Sequence, residues 1–385
     1  MTGAVRSLMI CTEKLPVPPV RGGAIQTYIH AVAPRLGRHH RVTVLGVADP
    51  ELPDREIRDG VEYWRVPAGT FPQYRDRVVN LLRRAGRKFD VVHLFNRPRL
   101  VLPVREALPE SRLILSLHNE MFRPEKIGPE EARAAIAATE RIVTVSNFIG
   151  RGVEALYPEA RGKWSTIYSG VDLDRFLPIW TPEARRIRQR LRAEHGLGRG
   201  PILLYVGRLS PKKGADVVAR ALGPVARRYP EATLVLVGSK WYGEDRISDY
   251  VAYVRALAAR APMKVLATGY VPADRVHEWF AAGDLFICAS QWEEPLARVH
   301  YEAMAAGLPI ITTARGGNPE VVRGQGNGLV VEEAGSPEIF ARAILRLLGD
   351  ADLRTRMSRR GRALAEAHFG WDRVAAEIRA LWERG

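Results

Sequence analysis

The sequence predicts an α/β protein built as two doubly wound, parallel-sheet domains facing each other across a cleft. Three observations carry this. The chain has 385 residues, long for one core at about 150 residues per domain. Short, fully apolar β-type runs alternate with helical stretches from end to end, as in parallel sheets covered on both faces. The alternation breaks once, in the Pro-, Gly- and Arg-rich stretch LPIWTPEARRIRQRLRAEHGLGRG (177–200), a linker signal. The expected domains are 1–177 and 178–370.

The first series of strands reads SLMIC, RVTVLGV, VEYWRV, DVVHLF, LILSLH, RIVTVS and WSTIYS. The second reads PILLYVG, ATLVLVG, KVLATGY, DLFICAS, PIITT and GLVV. Helical patterns such as AIQTYIHAVAPRL and DVVARALGPVARRY lie between them. Ligands of open parallel sheets bind beyond the carboxyl ends of the strands. That makes candidates of the loops VRGG (20–23), HNE (118–120), GRLSPKKG (207–214), SQWEE (290–294) and ARGGNPE (314–320).

Composition narrows the class. Cys11 and Cys288 are far apart in apolar runs and form no CxxC, which points to a reducing compartment. No apolar run approaches the roughly 18 residues of a spanning helix. The short SLMIC is followed at once by Glu13-Lys14, unlike a signal peptide. The expectation is a cytoplasmic protein. Net charge is +15, with 50 arginines against eight lysines, which favours acidic partners. No zinc-finger, RNP or bZIP pattern argues for nucleic acid.

The loops differ in what they offer. Gly22-Gly23 opens a helix soon after the first strand, where the backbone can approach a ligand and free N–H groups favour an anion; a tight turn is the plain alternative. Neither GxGxxG nor GxxxxGK[ST] is present, so nicotinamide and P-loop chemistry lack their fingerprints. GRLSPKKG sets Arg208 and Lys213 at a strand end, where a guanidinium fork and an ammonium point charge suit two phosphates; a solvated basic turn is the plain alternative. His118, ending LILSL, can bond a substrate hydroxyl or a backbone carbonyl. His39-His40 read as an exposed turn. Asp172-Leu173-Asp174 has the form of a metal-binding DxD but no further ligands nearby to complete an oxygen cage; a turn or cap fits better, and no metal ligand is assigned. RDRVVNLLRRAGRKF (75–89) has six basic residues and one acidic. It reads either as a helix packed on the sheet or as a basic amphipathic helix on an anionic membrane, which would make the protein peripheral at the inner face.

Glu294 and Glu302 stand eight positions apart in EEPLARVHYE. Pro295 pushes Glu294 out of helical geometry and suits a first helical turn. Glu302 is therefore expected about two turns into the helix, too far for an acid–base dyad. Glu293 is expected to face solvent.

In this order, the GG pair, the histidine, GR-x4-KG and Glu-x7-Glu resemble the retaining glycosyltransferases of family 4, which have the GT-B fold. The resemblance covers essentially the whole chain. It includes SGVDLDRF (169–176), AMAAGLPIITT, GGNPEVV and the final FGWDRVAAEIRALW, similar to the terminal helix (here 371–385) that packs back on the first domain. YSGVD and WEEP resemble the branch with bacterial spore-coat-associated members. The resemblance implies sugar transfer from a nucleotide-diphosphate sugar, UDP- or GDP-linked, to an acceptor hydroxyl: a glycan, lipid or small molecule. The donor is a co-substrate; no cofactor or metal is implied.

By resemblance, Arg208 and Lys213 bind the diphosphate, Gly22 and Gly23 approach it from the first domain, and His118 faces the donor sugar. Glu294 contacts sugar hydroxyls near the reacting carbon, and Glu302 holds the ribose. Leu296, Ala297 and Arg298, with Gly316, Gly317 and Glu320, line the sugar and phosphate pocket. Gly238 and Val271, in the GYVP loop, lie near the base. Fixed positive charge can stabilise the departing diphosphate. Two departures stand out: Asn119 follows the histidine where many relatives carry Asp, and Pro295-Leu296-Ala297 replaces Gly-Phe-Gly, so a methyl at 297 is expected to crowd the sugar or a strained backbone. A non-catalytic binding or coat protein and a sugar-nucleotide epimerase remain alternatives.

Overall fold

The computed structural model describes residues 3–239 and 247–384. The chain divides into two compact units, one of Met1–Ser169 with Trp371–Gly385, the other of Gly170–Gly370.

The first unit holds one sheet of eight strands: β1 (Arg6–Ile10), β2 (Arg41–Val47), β3 (Arg55–Arg58), β4 (Val61–Val66), β5 (Val91–Phe95), β6 (Arg112–Leu117), β7 (Arg141–Thr144) and β8 (Trp164–Thr166). Their order is β3-β4-β2-β1-β5-β6-β7-β8. All neighbours are parallel except β3, which runs antiparallel to β4. Apart from the arginines that begin β1 and β6, the central strands β1, β5 and β6 are buried, because helices cover both sides. The edge strand β3 (REIR) lacks that apolar signal and escapes the sequence reading. Its cue was Asp59-Gly60, both at positive φ (52° and 77°), as a two-residue hairpin turn requires.

The helix Phe71–Ala85 buries Tyr74, Val78, Val79 and Leu82 against this sheet. Its apolar stripe is thus used by the core and unavailable to a bilayer. It stops four residues before the expected 89 because Gly86 takes the left-handed conformation (φ 58°). Among the described residues no helix is long and apolar enough to cross a membrane.

The helix Trp371–Glu383 completes the first unit. Trp371 meets Tyr28 edge-on, with centroids 5.7 Å apart. Trp382 donates its indole N–H to Nδ1 of buried His93 at 3.3 Å. Burial pushes the His93 pKa down to about 3, so the ring is neutral and donates from Nε2 to Ser116 Oγ, 2.7 Å away. His40 is buried rather than exposed: it lies against Trp382 and 3.3 Å from Glu383, because the returning helix covers the turn that carries it.

The second unit holds β9 (Ile202–Val206), β10 (Thr233–Val237), β11 (Lys264–Gly269), β12 (Leu285–Cys288), β13 (Ile310–Thr313) and β14 (Gly328–Val331), all parallel, in the order β11-β10-β9-β12-β13-β14. The division falls after residue 169, not 177. Residues 170–176 are tied to the second unit: Val171 N–H bonds the Phe369 carbonyl at 2.8 Å, Phe176 packs on Phe280 at 5.4 Å, and Arg362 bonds the Phe176 carbonyl at 3.0 Å. Within this segment Asp172 Oδ1 accepts from the N–H groups of Asp174 and Arg175 at 3.2 and 3.1 Å, a turn rather than a metal cradle.

Candidate functional site

Each sheet reverses its strand order once: between β1 and β5 in the first unit, between β9 and β12 in the second. Such switch points open a crevice at the carboxyl ends of the strands. Gly22 and Gly23 follow β1, Arg208 and Lys213 follow β9, and Glu294 follows β12; the other expected site residues lie on other segments of the two units.

In the second unit, Arg208 and Lys213 follow β9. The 3-10 turn Pro211–Lys213 ends at Gly214, φ 67°, where a Cβ would stand 2.2 Å from the Ala289 carbonyl. Glycine thus lets the lysine loop lie against the end of β12. Tyr205 donates to the carbonyls of both Arg208 and Lys213, each at 3.3 Å. Gly238, after β10, is as constrained: a Cβ there would meet the Gly207 carbonyl at 2.1 Å. Val271 lies half-buried in the loop after β11.

Glu294 follows β12 and is buried. Its Oε2 accepts from Lys213 Nζ at 2.6 Å, Trp292 Nε1 at 2.8 Å and Ser290 Oγ at 2.9 Å. Burial opposes ionisation, but the Lys213 charge and these three donors outweigh it and hold the carboxyl below the ordinary range. Lys212 lies over the Trp292 ring, 5.0 Å from its centroid.

The loops after β12 and β13 are laced together. Glu293 accepts from Gly316 N–H at 2.7 Å and pairs with Arg315 at 3.1 Å. It therefore anchors the loop while its side chain remains partly open to solvent, as expected. Gly317 N–H bonds the Glu294 carbonyl at 2.8 Å. Gly316 has φ 56°, and a Cβ there would lie 2.0 Å from that same carbonyl. Asn318 Oδ1 accepts from Ala297 N–H at 3.0 Å, and His300 donates from Nδ1 to the Ala297 carbonyl at 2.8 Å.

These bonds hold 294–298 out of the helix, which begins at Val299 with Arg298 as its cap. Glu302 accordingly stands in the first turn, not the second. Its neighbour is Arg298, 3.7 Å away, and it shares no hydrogen-bond partner with Glu294. Burial raises its pKa against the opposing charges of Arg298 and Arg175. Leu296 and Ala297 are buried. Among the described residues only Asp59 and Asn96 are non-glycines with positive φ, so Ala297 carries no strain of that kind. Glu320 lies half-buried in the 3-10 turn Asn318–Val321.

In the first unit, Gly22 and Gly23 have φ 79° and 104° and precede the helix Ala24–Gly37. A Cβ on Gly23 would meet Gln26 Oε1 at 2.2 Å. His118, after β6, presents its ring to the edge of Tyr28 at 4.9 Å. Its N–H and that of Asn119 donate to Asn96 Oδ1 at 3.0 and 3.1 Å.

Sequence reading missed Asn96, Ser290, Trp292 and Asn318. Trp292 and Ser290 could have been found in the same SQWEE loop. Asn96 and Asn318 act on backbone groups and leave no spacing signal. It also missed Glu13, whose buried carboxylate forms a fork with Arg97 at 2.5 and 2.6 Å. That pair joins the ends of β1 and β5 as Lys213–Glu294 joins the ends of β9 and β12.

Two basic side chains beside an ordered carboxylate, at the switch point of a doubly wound sheet, have the form of a sugar-nucleotide site. Comparison with known proteins agrees. A family model described as Glycosyltransferase Family 4 matches residues 22–175, and one described as Glycosyl transferases group 1 matches 187–364. Spore coat protein SA of Bacillus subtilis (strain 168) is 43% identical over 98% of each chain. YtcC of the same organism, named as an inferred glycosyltransferase, is 40% identical over 97% of this chain and 91% of its own. The crystal structure of HepE from Anabaena in complex with UDP and glucose covers 99% of this chain and 100% of its own, with a TM-score of 0.76 and 21% identity. The chain belongs to glycosyltransferase family 4 and has the GT-B fold.

Proposed function

We propose that the chain moves a hexosyl group from a nucleotide-diphosphate sugar to an acceptor hydroxyl, with retention of configuration and without a metal. The observation that carries this reading is the Lys213–Glu294 pair at the β9/β12 switch point, with Arg208 on the same loop as the lysine. Arg208 and Lys213 take the diphosphate and offset the charge that appears as the bond from the anomeric carbon to the phosphate oxygen breaks. Glu294, released from Lys213 by the incoming phosphate, accepts hydroxyls of the sugar. Glu302 accepts those of the ribose. The acceptor oxygen bonds the anomeric carbon on the face the diphosphate leaves, and its proton passes to the leaving phosphate. A trapped covalent glycosyl-Glu294 would overturn this last step.

HepE of Anabaena is described with UDP and glucose, which puts UDP-sugars first in a donor screen and GDP-sugars second. Thermal shift and donor hydrolysis across that panel test the reading. Arg208→Ala, Lys213→Ala and Glu294→Ala should each lower turnover at least tenfold while the fold persists. Near-full activity in all three overturns the assignment. A second reading, a binding protein without turnover, is favoured by the coat-protein name of one relative. It predicts nucleotide binding with neither transfer nor hydrolysis for any donor.

A further inference from the structure

The edge strand β3 carries the most exposed large apolar side chain among the described residues. Ile57 is 80% exposed, on a strand that pairs on one side only, with β4. Arg55, Arg58 and Asp59 beside it are exposed as well.

The direction of the backbone groups follows from the pairing with β4. Arg65 N–H bonds the Asp54 carbonyl at 2.9 Å, and the next pairs run from Arg55 opposite Trp64 to Arg58 opposite Val61. In an antiparallel pair, hydrogen-bonded residues alternate with non-bonded ones. Asp54, Glu56 and Arg58 therefore bond toward β4, while Arg55 and Ile57 turn their N–H and C=O groups outward, away from the sheet.

A free edge is a template for another strand, and charges on it usually oppose such pairing. Here the charges discriminate between registers. An incoming antiparallel copy of β3 must set outward residues against outward residues, which leaves registers centred on Arg55, Glu56 or Ile57. Centred on Arg55, Ile57 would face Pro53, which has no N–H to give; Arg55 would face Arg55, and Asp54 would face Glu56. Centred on Glu56, two carboxylates would meet on the axis, and like charges directly opposite destabilise. Centred on Ile57, the two isoleucines meet. Each Glu56 then faces Arg58 of the second copy on one side of the sheet, and each Arg55 faces Asp59 on the other. Glu56 is held for this by buried Arg65 at 2.5 Å. Its pair with Arg58 of its own strand, at 3.2 Å, is exposed at the arginine and readily shared.

We propose that a second copy of this chain docks on β3, antiparallel and centred on Ile57, so that two eight-stranded sheets join into one. The two Ile57 residues exchange both backbone bonds, and alternating charges close the joint on both faces. Strand direction reverses across the two-fold axis, so the β1/β5 crevices of the two copies open at opposite ends of the joint sheet. The paired strands are four residues long, far short of an obligate interface, and the dimer is accordingly reversible. It is independent of the proposed transfer reaction.

Sedimentation velocity of the full chain over a dilution series tests the pairing, and disulfide capture reads its register. The parent should pass from monomer to dimer as concentration rises. Ile57→Lys sets two ammonium groups on the axis and should raise the dissociation constant about tenfold or more. Leu156→Lys, at another exposed apolar position of the same unit, should leave it unchanged. On mild oxidation Ile57→Cys should link two chains, since the Cα atoms of a hydrogen-bonded pair lie about 5.5 Å apart, within disulfide reach. Arg55→Cys should not, because its counterpart then lies four residues along the strand, roughly 13 Å away. The native Cys11 and Cys288 are buried and take no part. All the substituted side chains are exposed, and an unchanged Tm checks that the fold is kept. A parent that stays monomeric throughout, a dimer indifferent to Ile57→Lys, or equal cross-linking of both cysteine variants overturns the proposal.

Discussion

Lys213 Nζ lies 2.6 Å from Glu294 Oε2, and the two side chains come from the ends of β9 and β12, neighbours at the point where the sheet reverses its order. The lysine assigned to the donor diphosphate is thus held by the carboxylate assigned to the donor sugar. The Lys213 charge favours the ionised form of Glu294, and the pair holds both side chains in place.

Lys213→Met tests that mutual dependence. It leaves a buried carboxylate without its cation, which typically costs about 3 kcal/mol. Denaturant unfolding should show a loss of that size, and the double variant Lys213→Met/Glu294→Gln should lose less than the sum, with coupling of about 1 kcal/mol or more. Because the Glu294 pKa is lowered, its contribution is complete above the ordinary carboxylate range and disappears as pH falls through the lowered value. The single variant should accordingly show a shallower acid destabilisation than the parent. Strict additivity would separate the two residues.

Glu302 should behave in the opposite sense. Burial raises its pKa, so in the free protein it stays protonated to a higher pH than an ordinary glutamate. If it accepts ribose hydroxyls as a carboxylate, affinity for the nucleoside diphosphate should rise with pH through that raised value and then level off. Calorimetric titration between pH 4 and pH 8, roughly the span over which carboxylates move when perturbed, should show the rise in the parent and a flat profile in Glu302→Gln. A parent profile as flat as the variant's would remove the ribose role.

Gly316→Ala asks whether the lacing of two loops matters. The new methyl would meet the Glu294 carbonyl 2.0 Å away, at a φ of 56° that side chains rarely adopt. The strain alone is about 1–3 kcal/mol, and relieving it moves the backbone that carries Glu294. The variant should unfold earlier and lose at least tenfold in turnover. Parent-like kinetics with a lowered Tm would leave the loop a structural part only.

Trp382→Ala addresses the first unit alone. The side chain is buried and donates to His93, and removing a buried aromatic costs about 3–5 kcal/mol. In calorimetry a transition assigned to the first unit should move to lower temperature while nucleoside-diphosphate binding by the second unit is kept. Equal displacement of both would mean that the units unfold as one.

All thirteen expected strands are present, since an apolar run flanked by glycine or charge is read locally. The strand that escaped, β3, has a polar sequence because both its faces see solvent. Lys213, Glu294 and the glycines were legible because their types and spacing are tied to chemistry. The bonds that place them were not. Gly316 to Glu293, Asn318 to Ala297 and Asn96 to His118 all join segments 20 or more residues apart through single backbone groups. The helix start at Val299 was misjudged for this reason: Pro295 permits a first turn where it stands, and the bonds from the loop after β13 forbid it. His40 looks exposed by composition and is covered by a segment distant in sequence.

The return of the helix Trp371–Glu383 to the first unit has a consequence for synthesis. Trp371, Val374, Ile378, Leu381 and Trp382 share one buried cluster with Met9, Ile29 and Val44, while Gly170–Gly370 lies between these two groups in the chain. On the ribosome, the part begun first is therefore finished last. At about 5–20 residues per second the eight-stranded sheet waits roughly 10–40 s for its closing helix, a time in which the second unit is already complete. Nascent chains arrested just past Gly370 should protect the second unit from protease while leaving the first open to cleavage and to chaperones.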